Sequence, residues 1–190
     1  MNSFSIIYCS LLMLLYDVGA SCPNIISRQN WGATPPKSQK NLRTNPPPFV
    51  VIHHSETPAC QSLQACKQRI RNIQYDHMTN RGWADIGYNF LIGGDGNIYE
   101  GRGWGIHGSH VPKYNSKSIG ICLIGDFQRI SPPNSQLNLL KQLIECGKDN
   151  GKIVSGYHLI GHRQGKPTNC PGDALYEEVK KMTNWDPNPN

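Results

Sequence analysis

The chain has 190 residues, of which 37% are hydrophobic and 17% charged, and its formal net charge is +6 at neutral pH. This length favours one domain with a hydrophobic core, and the basic charge suits an anionic partner such as nucleic acid, lipid headgroups or a bacterial envelope. No Lys/Arg block or zinc-finger spacing supports nucleic acid as that partner. Solubility alone would explain the charge equally well.

The N-terminus has the pattern of a secretory signal peptide. An apolar run over residues 4–16 is followed by a small-residue cleavage site at 18–20, although no Lys or Arg precedes the run. The run is too short to cross a bilayer, and no later segment approaches the roughly 20 apolar residues that a transmembrane helix requires. We therefore expect residues 1–20 to be removed and residues 21–190 to form one secreted, extracellular domain.

Six cysteines remain once Cys9 leaves with the signal segment. They are Cys22, Cys60, Cys66, Cys122, Cys146 and Cys170. An even number in an oxidising compartment first suggests three disulfides, and six cysteines allow about fifteen pairings. Spacing favours only the pair Cys60 and Cys66, which a short polar loop could close.

The first predicted elements are a buried strand and an amphipathic helix. The strand covers residues 49–54 (FVVIHH), a β-branched run that follows three prolines and ends in two histidines. The helix begins after Ser62, its expected N-cap, and extends to about Asn80 with apolar residues on one face.

The middle of the chain is predicted to contain a hairpin and another strand. Residues 88–92 and 98–100 flank the turn-rich segment 93–97 (GGDGN), so we expect antiparallel neighbours. A Gly- and His-containing stretch over 104–115 then leads to a strand over 118–124. A long connection without regular structure is more often functional than structural.

Two further helices and a short strand complete the predicted fold. A helix covers 135–149, a strand covers 157–160, and a last amphipathic helix over about 173–182 follows a loop at 161–171. The tail from Asp186 has the composition of a frayed end. Strands interspersed with three helices, without a repeat or a linker, predict a single α/β domain built on a central mixed sheet.

Three residues of this pattern are candidate metal ligands. His53 stands where the buried strand reaches the surface, and because strand side chains alternate faces, either His53 or His54 can point into a cleft. His162 and Cys170 lie in the loop at 161–171, with a spacing unlike that of zinc fingers but compatible with two converging ligands. Three protein ligands and an open position are typical of catalytic zinc, so such a site would indicate hydrolysis. Spacing alone leaves ordinary hydrogen-bonding histidines as the alternative.

Several segments resemble the peptidoglycan recognition proteins. They are VVIHHS (50–55), RNIQYDHM (71–78), GWADIGYNFLIGGDGNIYEGRGWG (82–105), YNSKSIGICLIGDF (114–127) and GHRQGKPTNCPG (161–172). The resemblance covers about residues 22–185 and keeps the motifs in order with near-family spacing. It implies the fold shared with the phage lysozyme-type amidases: a central mixed sheet, flanking helices, and a groove with one zinc ion at its floor.

The resemblance also implies an active N-acetylmuramoyl-L-alanine amidase. His53, His162 and Cys170 match the family's zinc ligands, and members that only bind have typically lost the cysteine. Tyr88 matches the catalytic tyrosine, and Thr168 matches the other position near the metal. Zinc would make hydroxide available at neutral pH and polarise the scissile carbonyl, while these two side chains would hydrogen-bond the water or the oxyanion.

Substrate residues follow from the same resemblance. Gly82, Trp83 and Arg102 match the pattern associated with meso-diaminopimelic-acid peptidoglycan, whose extra carboxylate an arginine could bind in a bidentate pair. Trp83 could instead be a core or rim aromatic. A further set would line the groove and hydrogen-bond muramyl and stem-peptide groups, with loop-stabilising contacts as the alternative: His77, His110 and Asn115.

The cysteines are apportioned by the resemblance as well. Cys60 and Cys66 match the family's small loop disulfide, and Cys22 and Cys146 match a second bridge, from the N-terminal segment to the helix at 135–149. The remaining two are then a buried free thiol, Cys122, and the zinc ligand.

Two other functions stay open at this point. One is a receptor that binds peptidoglycan in the same groove and signals to partner proteins of innate immunity; the complete metal set favours the enzyme. The other is a membrane-disrupting antibacterial protein, for which the helix after Ser62 carries Lys67, Arg69 and Arg71 beside an apolar face. That face fits a core better. We expect a monomer whose ligands are muramyl peptides.

Overall fold

A six-stranded mixed sheet forms the centre of the protein. The structure is a computed structural model that describes residues 22–189, so the expected signal peptide lies outside the described residues. The strands are β1 (Ile25–Ile26), β2 (Phe49–His54), β3 (Phe90–Ile92), β4 (Ile98–Glu100), β5 (Ser118–Leu123) and β6 (His158–Gly161). They lie in the order β1-β4-β3-β5-β2-β6. Neighbours β3 and β4 are antiparallel, as predicted, and the other pairs are parallel.

Helices of very different length connect these strands. They are α1 (Arg28–Trp31), α2 (Leu63–Tyr75), α3 (Asn134–Asp149), α4 (His162–Gly165) and α5 (Asp173–Lys180), and a π-helical turn (Asp76–Asn80) continues α2. The three longer helices are those predicted. Ser62 caps α2, because its hydroxyl accepts a hydrogen bond of 3.3 Å from the Ala65 amide. The short helices α1 and α4 were missed, and α4 lies where a loop was expected.

Strand β2 is the element that positions the histidines. All six of its residues are buried, since it lies between two parallel neighbours and both of its faces are covered. His53 is in register with Cys122 of β5, and Ile52 is in register with Gly161 of β6. The carboxyl ends of β2 and β6 therefore meet at one edge of the sheet, where His53 is the last residue but one of β2 and His162 follows β6.

Helices cover both faces of the sheet. Leu91 and Cys122 belong to an apolar cluster with Ile70 of α2, whereas Ile121 belongs to a second cluster with Leu140 of α3. Ile70 is completely buried, so the apolar face of α2 is part of the core, and this removes the argument for a membrane-disrupting helix. Within residues 22–189, no helix combines the length and the apolar character that crossing a membrane would demand.

The disulfides and the tail complete the frame. Cys22 pairs with Cys146 and Cys60 pairs with Cys66, as the resemblance implied, and Cys122 is a buried free thiol.

The start of the tail is held, where a frayed end was expected. The Asp186 amide donates to the Leu159 carbonyl (2.9 Å), and the Asp186 carboxylate lies 2.8 Å from Nδ1 of His158. Gln164 Nε2 donates to the Asp186 carbonyl at 2.7 Å. The edge strand β6 thus offers unpaired backbone groups to the tail, which composition does not reveal.

Candidate metal centre and adjoining groove

His53, His162 and Cys170 meet at the carboxyl ends of β2 and β6. One ligand atom from each residue lies within 4.8 Å of the other two. Cys170 Sγ is 3.7 Å from His53 Nδ1, and the ring centroids of His53 and His162 are 4.6 Å apart. The structure therefore brings the predicted ligand set together in one place.

The loop that carries Cys170 is fixed by its own contacts. Arg163 donates to the Asn169 carbonyl (2.5 Å) and forms an ion pair with Asp173 at 2.7 Å, so the guanidinium ties the loop to the start of α5. The Cys170 amide donates to Thr168 Oγ1 at 3.3 Å. Thr168 itself is exposed, with its hydroxyl held beside the cysteine.

The polar atoms of this centre fit a zinc ion. Both ring nitrogens of His162 are buried without a hydrogen-bond partner among residues 22–189, and such atoms are costly unless something binds them. Burial lowers the pKa of His162 to about 4 and that of His53 well below its usual value, so both imidazoles are neutral, as ligation requires. Burial also raises the pKa of the Cys170 thiol to about 12, so a thiolate needs a cation beside it. Two nitrogens and one sulfur are a typical zinc donor set.

Tyr88 and His77 lie next to the metal centre. The Tyr88 ring is 5.2 Å from that of His53 and 5.6 Å from that of His77, between centroids. Burial, with a smaller effect of its hydrogen bond to the Cys122 thiol, raises the pKa of Tyr88 well above its usual value, so the phenol keeps its proton. His77 Nδ1 accepts a hydrogen bond from the Gly87 amide (2.9 Å), and burial lowers the pKa of His77 to about 4.

A cavity of about 300 Å³ adjoins these two side chains. Its lining includes Ser55, Thr57, Arg69, His77, Arg81 and Tyr88. Because Tyr88 touches both the cavity and the ring of His53, the cavity opens beside the metal centre. Its walls are largely polar and carry the carboxylates of Glu56 and Asp76 as well as the two guanidinium groups, and Asp76 is paired with Arg81 at 2.8 Å.

Trp83 and Gly82 lie next to residues that line this cavity. Trp83 is half-buried, its ring is 4.6 Å from that of His77, and the Arg81 guanidinium lies 5.4 Å from its ring centre. Trp83 thus packs against two of the lining residues. Gly82 has φ +67°, a conformation that favours glycine, so the local backbone conformation explains why glycine occupies this position.

Arg102 is not free to bind a ligand in the expected way. Its guanidinium donates to the carbonyls of Ile86 (2.6 Å) and His107 (2.9 Å) and to Ser109 Oγ (2.9 Å). A bidentate pair with a substrate carboxylate would require breaking these bonds. The structure instead makes Arg102 a clamp between the segments at 85–87 and 107–109.

Asn115 and His110 also differ from the expected groove-lining role. Asn115 Oδ1 accepts hydrogen bonds from the amides of His110 and Val111, both at 2.8 Å, which is the loop-stabilising alternative. The His110 side chain is buried behind His53, with Nδ1 3.0 Å from His53 Nε2. Burial lowers the pKa of His110 to about 3, so its ring is neutral.

Sequence reasoning missed two residues that make room for His110 and contact it. Ser118 Oγ lies 3.4 Å from His110 Nε2, and a Cβ on Gly120 would lie 2.6 Å from His110 Cδ2. Both belong to β5, where every residue is buried. The sequence did show a serine and a glycine inside an otherwise apolar strand. A glycine inside a strand often marks a place that another group approaches closely.

Comparison with known proteins gives a match over most of the chain. A family model described as N-acetylmuramoyl-L-alanine amidase matches residues 43–173. Peptidoglycan-recognition protein LB of Drosophila melanogaster is 48% identical over 168 residues, which are 88% of this chain and 72% of that protein. The chain belongs to the peptidoglycan-recognition proteins.

Solved structures of peptidoglycan-recognition proteins have the same fold. The structure of wild-type Drosophila PGRP-LB matches with a TM-score of 0.84 and 46% identity, covering 86% of this chain and 96% of that one. Peptidoglycan recognition protein-LE, solved in complex with tracheal cytotoxin, a monomeric diaminopimelic acid-type peptidoglycan, matches with a TM-score of 0.83 and 40% identity. That match covers 85% of this chain and 95% of the other. The predicted α/β fold with a central mixed sheet is confirmed.

Proposed function

We propose that this protein is a zinc-dependent amidase that cleaves peptidoglycan between N-acetylmuramic acid and L-alanine. The observation that carries the proposal is the convergence of two neutral imidazoles and a buried thiol, His53, His162 and Cys170. A metal ion would bind one of the two buried ring nitrogens of His162 that have no hydrogen-bond partner among residues 22–189. Membership of the amidase family supports the same reaction.

The three ligands would leave a fourth position open, where zinc would lower the pKa of a bound water and polarise the scissile carbonyl. Side chains of this protein would supply the remaining hydrogen bonds for the reaction. Tyr88 stays protonated beside His53, so its hydroxyl can donate a hydrogen bond to the oxyanion that develops on the substrate. Thr168 accepts a hydrogen bond from the Cys170 amide and can direct its own proton to the same region.

The adjoining cavity supports a muramyl peptide as the ligand. Arg69 lines it and would attract a carboxylate of a stem peptide, while His77 forms part of the wall and Trp83 packs against His77. We propose a preference for diaminopimelic-acid peptidoglycan, because a similar protein was solved with a ligand of that type. In this proposal Arg102 contributes by shaping the loop at 107–109 and not by gripping the ligand.

We also propose that the protein is secreted and acts in innate immunity outside the cell. Two disulfides are typical of an oxidising compartment, and residues 1–20 have the pattern of a signal peptide.

The experiment compares wild-type protein with two cysteine variants on diaminopimelic-acid and lysine-type peptidoglycan. Cys170→Ser should lose zinc and release no stem peptide, whereas Cys122→Ser, which alters the other buried free thiol, should keep its zinc. Zinc per chain and released stem peptide are measured. Tight binding without release by zinc-loaded wild type would favour the receptor. Equal release from both substrates would contradict the preference alone.

A further inference from the structure

A chain of hydrogen bonds leads from the metal centre into the sheet. His53 Nε2 lies 3.0 Å from His110 Nδ1, and His110 Nε2 lies 3.4 Å from Ser118 Oγ. The Ser118 hydroxyl lies 2.8 Å from the Tyr114 carbonyl, to which it donates. The side chains of His53, His110 and Ser118 are all buried, so water does not compete for these bonds.

The direction of each bond follows from its last acceptor. The Tyr114 carbonyl can only accept, so it takes the single proton of Ser118, and the Ser118 oxygen then accepts from His110 Nε2. A neutral imidazole has one N–H and one lone pair, so His110 Nδ1 carries the lone pair. It therefore accepts the proton of His53 Nε2. The lone pair of His53 is left on Nδ1, the nitrogen that faces Cys170 Sγ.

We propose that His110 is a positioning residue for the ligand His53, holding its ring in the Nε2–H tautomer so that Nδ1 is presented to the metal. The inference rests on the zinc site of the proposed function, but it concerns a residue that the sequence placed in the substrate groove. Ser118 acts one step further away, because it fixes the tautomer of His110.

The surrounding backbone is shaped to hold the His110 ring. A Cβ on Gly120 would lie 2.6 Å from His110 Cδ2, and one on Gly108 would lie 2.3 Å from the same atom. Asn115 Oδ1 accepts from the His110 amide at 2.8 Å, which fixes the loop that carries the ring. The two rings meet edge to face, at an interplanar angle of 86°. Two glycines and an asparagine thus fix the ring in place.

Such a contact changes metal affinity. A metal-ligating histidine usually donates its second ring N–H to an acceptor that fixes the ring, and loss of that acceptor costs about 10–100-fold in affinity. A residue that only contacted substrate would leave zinc affinity unchanged. Zinc affinity therefore separates the two roles of His110.

The test compares His110→Asn with His110→Leu, two side chains of similar size. Asn keeps an oxygen acceptor near the position of Nδ1 and Leu does not. Zinc affinity is measured by competition with a chromophoric chelator, and we expect it to fall about 10–100-fold in His110→Leu and to stay within about 3-fold of wild type in His110→Asn. Unchanged zinc affinity in His110→Leu would overturn the proposal.

A second measurement uses wild-type protein, so it tests the proposal even if the His110 variants do not fold. In metal-free wild-type protein labelled with ¹⁵N-histidine, NMR should show His53 as the Nε2–H tautomer, and Ser118→Ala should weaken this preference. His53 in the Nδ1–H form in wild type would overturn the inference. Because this readout needs no metal, it is distinct from failure of the proposed function, which would be seen as wild-type protein that binds no zinc.

Discussion

Cys170 Sγ lies 3.7 Å from His53 Nδ1, although 117 positions separate the two residues along the chain. Parallel pairing of β2 with β6 creates this contact, because it brings the end of β2 next to the start of the loop that carries the cysteine. The metal centre therefore depends on the sheet, and groups that support it can be tested separately from those that bind the ion.

Tyr88 can be tested without disturbing the ligands. Tyr88→Phe removes the hydroxyl that would stabilise the oxyanion, so kcat should fall about 100-fold, as when one oxyanion donor is lost. Zinc content should stay at the wild-type level, since Tyr88 is not a ligand. Tyr75→Phe, at an exposed position, is the control. Full activity in Tyr88→Phe would remove the role in catalysis.

Metal-free protein should become less stable as the pH falls from about 6.5 to about 4. The pKa of His77 is about 4 in the folded protein, against 6.5 in the unfolded chain, because the folded state buries the ring. Between these values the unfolded chain binds more protons, so the contribution of His77 to the free energy of unfolding is complete above pH 6.5 and declines by up to about 3 kcal/mol as pH approaches 4. The buried His162, whose pKa is also about 4, adds to this decline.

The comparison for this prediction is His77→Asn in the presence of a chelator. Asn keeps an acceptor for the Gly87 amide but does not titrate, so its unfolding free energy should depend less on pH over this range. Urea unfolding at several pH values measures both proteins. The same pH dependence in wild type and variant would show that His77 does not contribute to it.

Gly120 should not tolerate a methyl group. Gly120→Ala places a Cβ 2.6 Å from the His110 ring, and such overpacking costs about 1–3 kcal/mol of unfolding free energy. The zinc affinity of Gly120→Ala should also fall if His110 positions His53. Gly156→Ala is the control, because within residues 22–189 no atom beyond its chain neighbours would lie within 4 Å of the added Cβ, and its effect should stay within about 0.5 kcal/mol. Equal stability of the two variants in urea would contradict this packing.

A substitution of Arg102 distinguishes a structural role of this side chain from direct contact with the ligand. Arg102→Lys cannot reproduce the bonds to Ile86, His107 and Ser109, so activity should fall by the same factor on diaminopimelic-acid and lysine-type substrates. Arg129→Lys, an exposed position, should have no effect. A loss confined to the diaminopimelic-acid substrate would instead restore the carboxylate contact that the sequence suggested.

Most elements that the sequence predicted have a strong apolar pattern, and the short strands β3 and β4 were found from the turn-rich segment between them. The buried strand β2 and helices α2, α3 and α5 each show an apolar pattern long enough to read. Strand β1 has two residues and helices α1 and α4 have four each, too few for any period to be visible. Their positions come from tertiary contacts, such as the pairing of β1 with β4.

The sequence identified the residues of the site, but it did not predict how they are arranged in space. His53, His162 and Cys170 could be named from motifs, but spacing alone does not show that they converge, because the strand order is not sequential. His110 was placed in the groove by the family resemblance. Its burial depends on the room that Gly120 leaves across the sheet, a contact between distant segments that no local pattern encodes.

The most direct test of zinc-dependent amidase activity is a zinc titration of metal-free protein on a muramyl peptide, with release of stem peptide followed by mass spectrometry. Our account predicts no release without zinc, activity that rises to a plateau at one zinc ion per chain, and a new amino terminus at L-alanine. Release that is independent of zinc, or protein that binds one zinc ion and leaves the muramyl peptide intact, would contradict it.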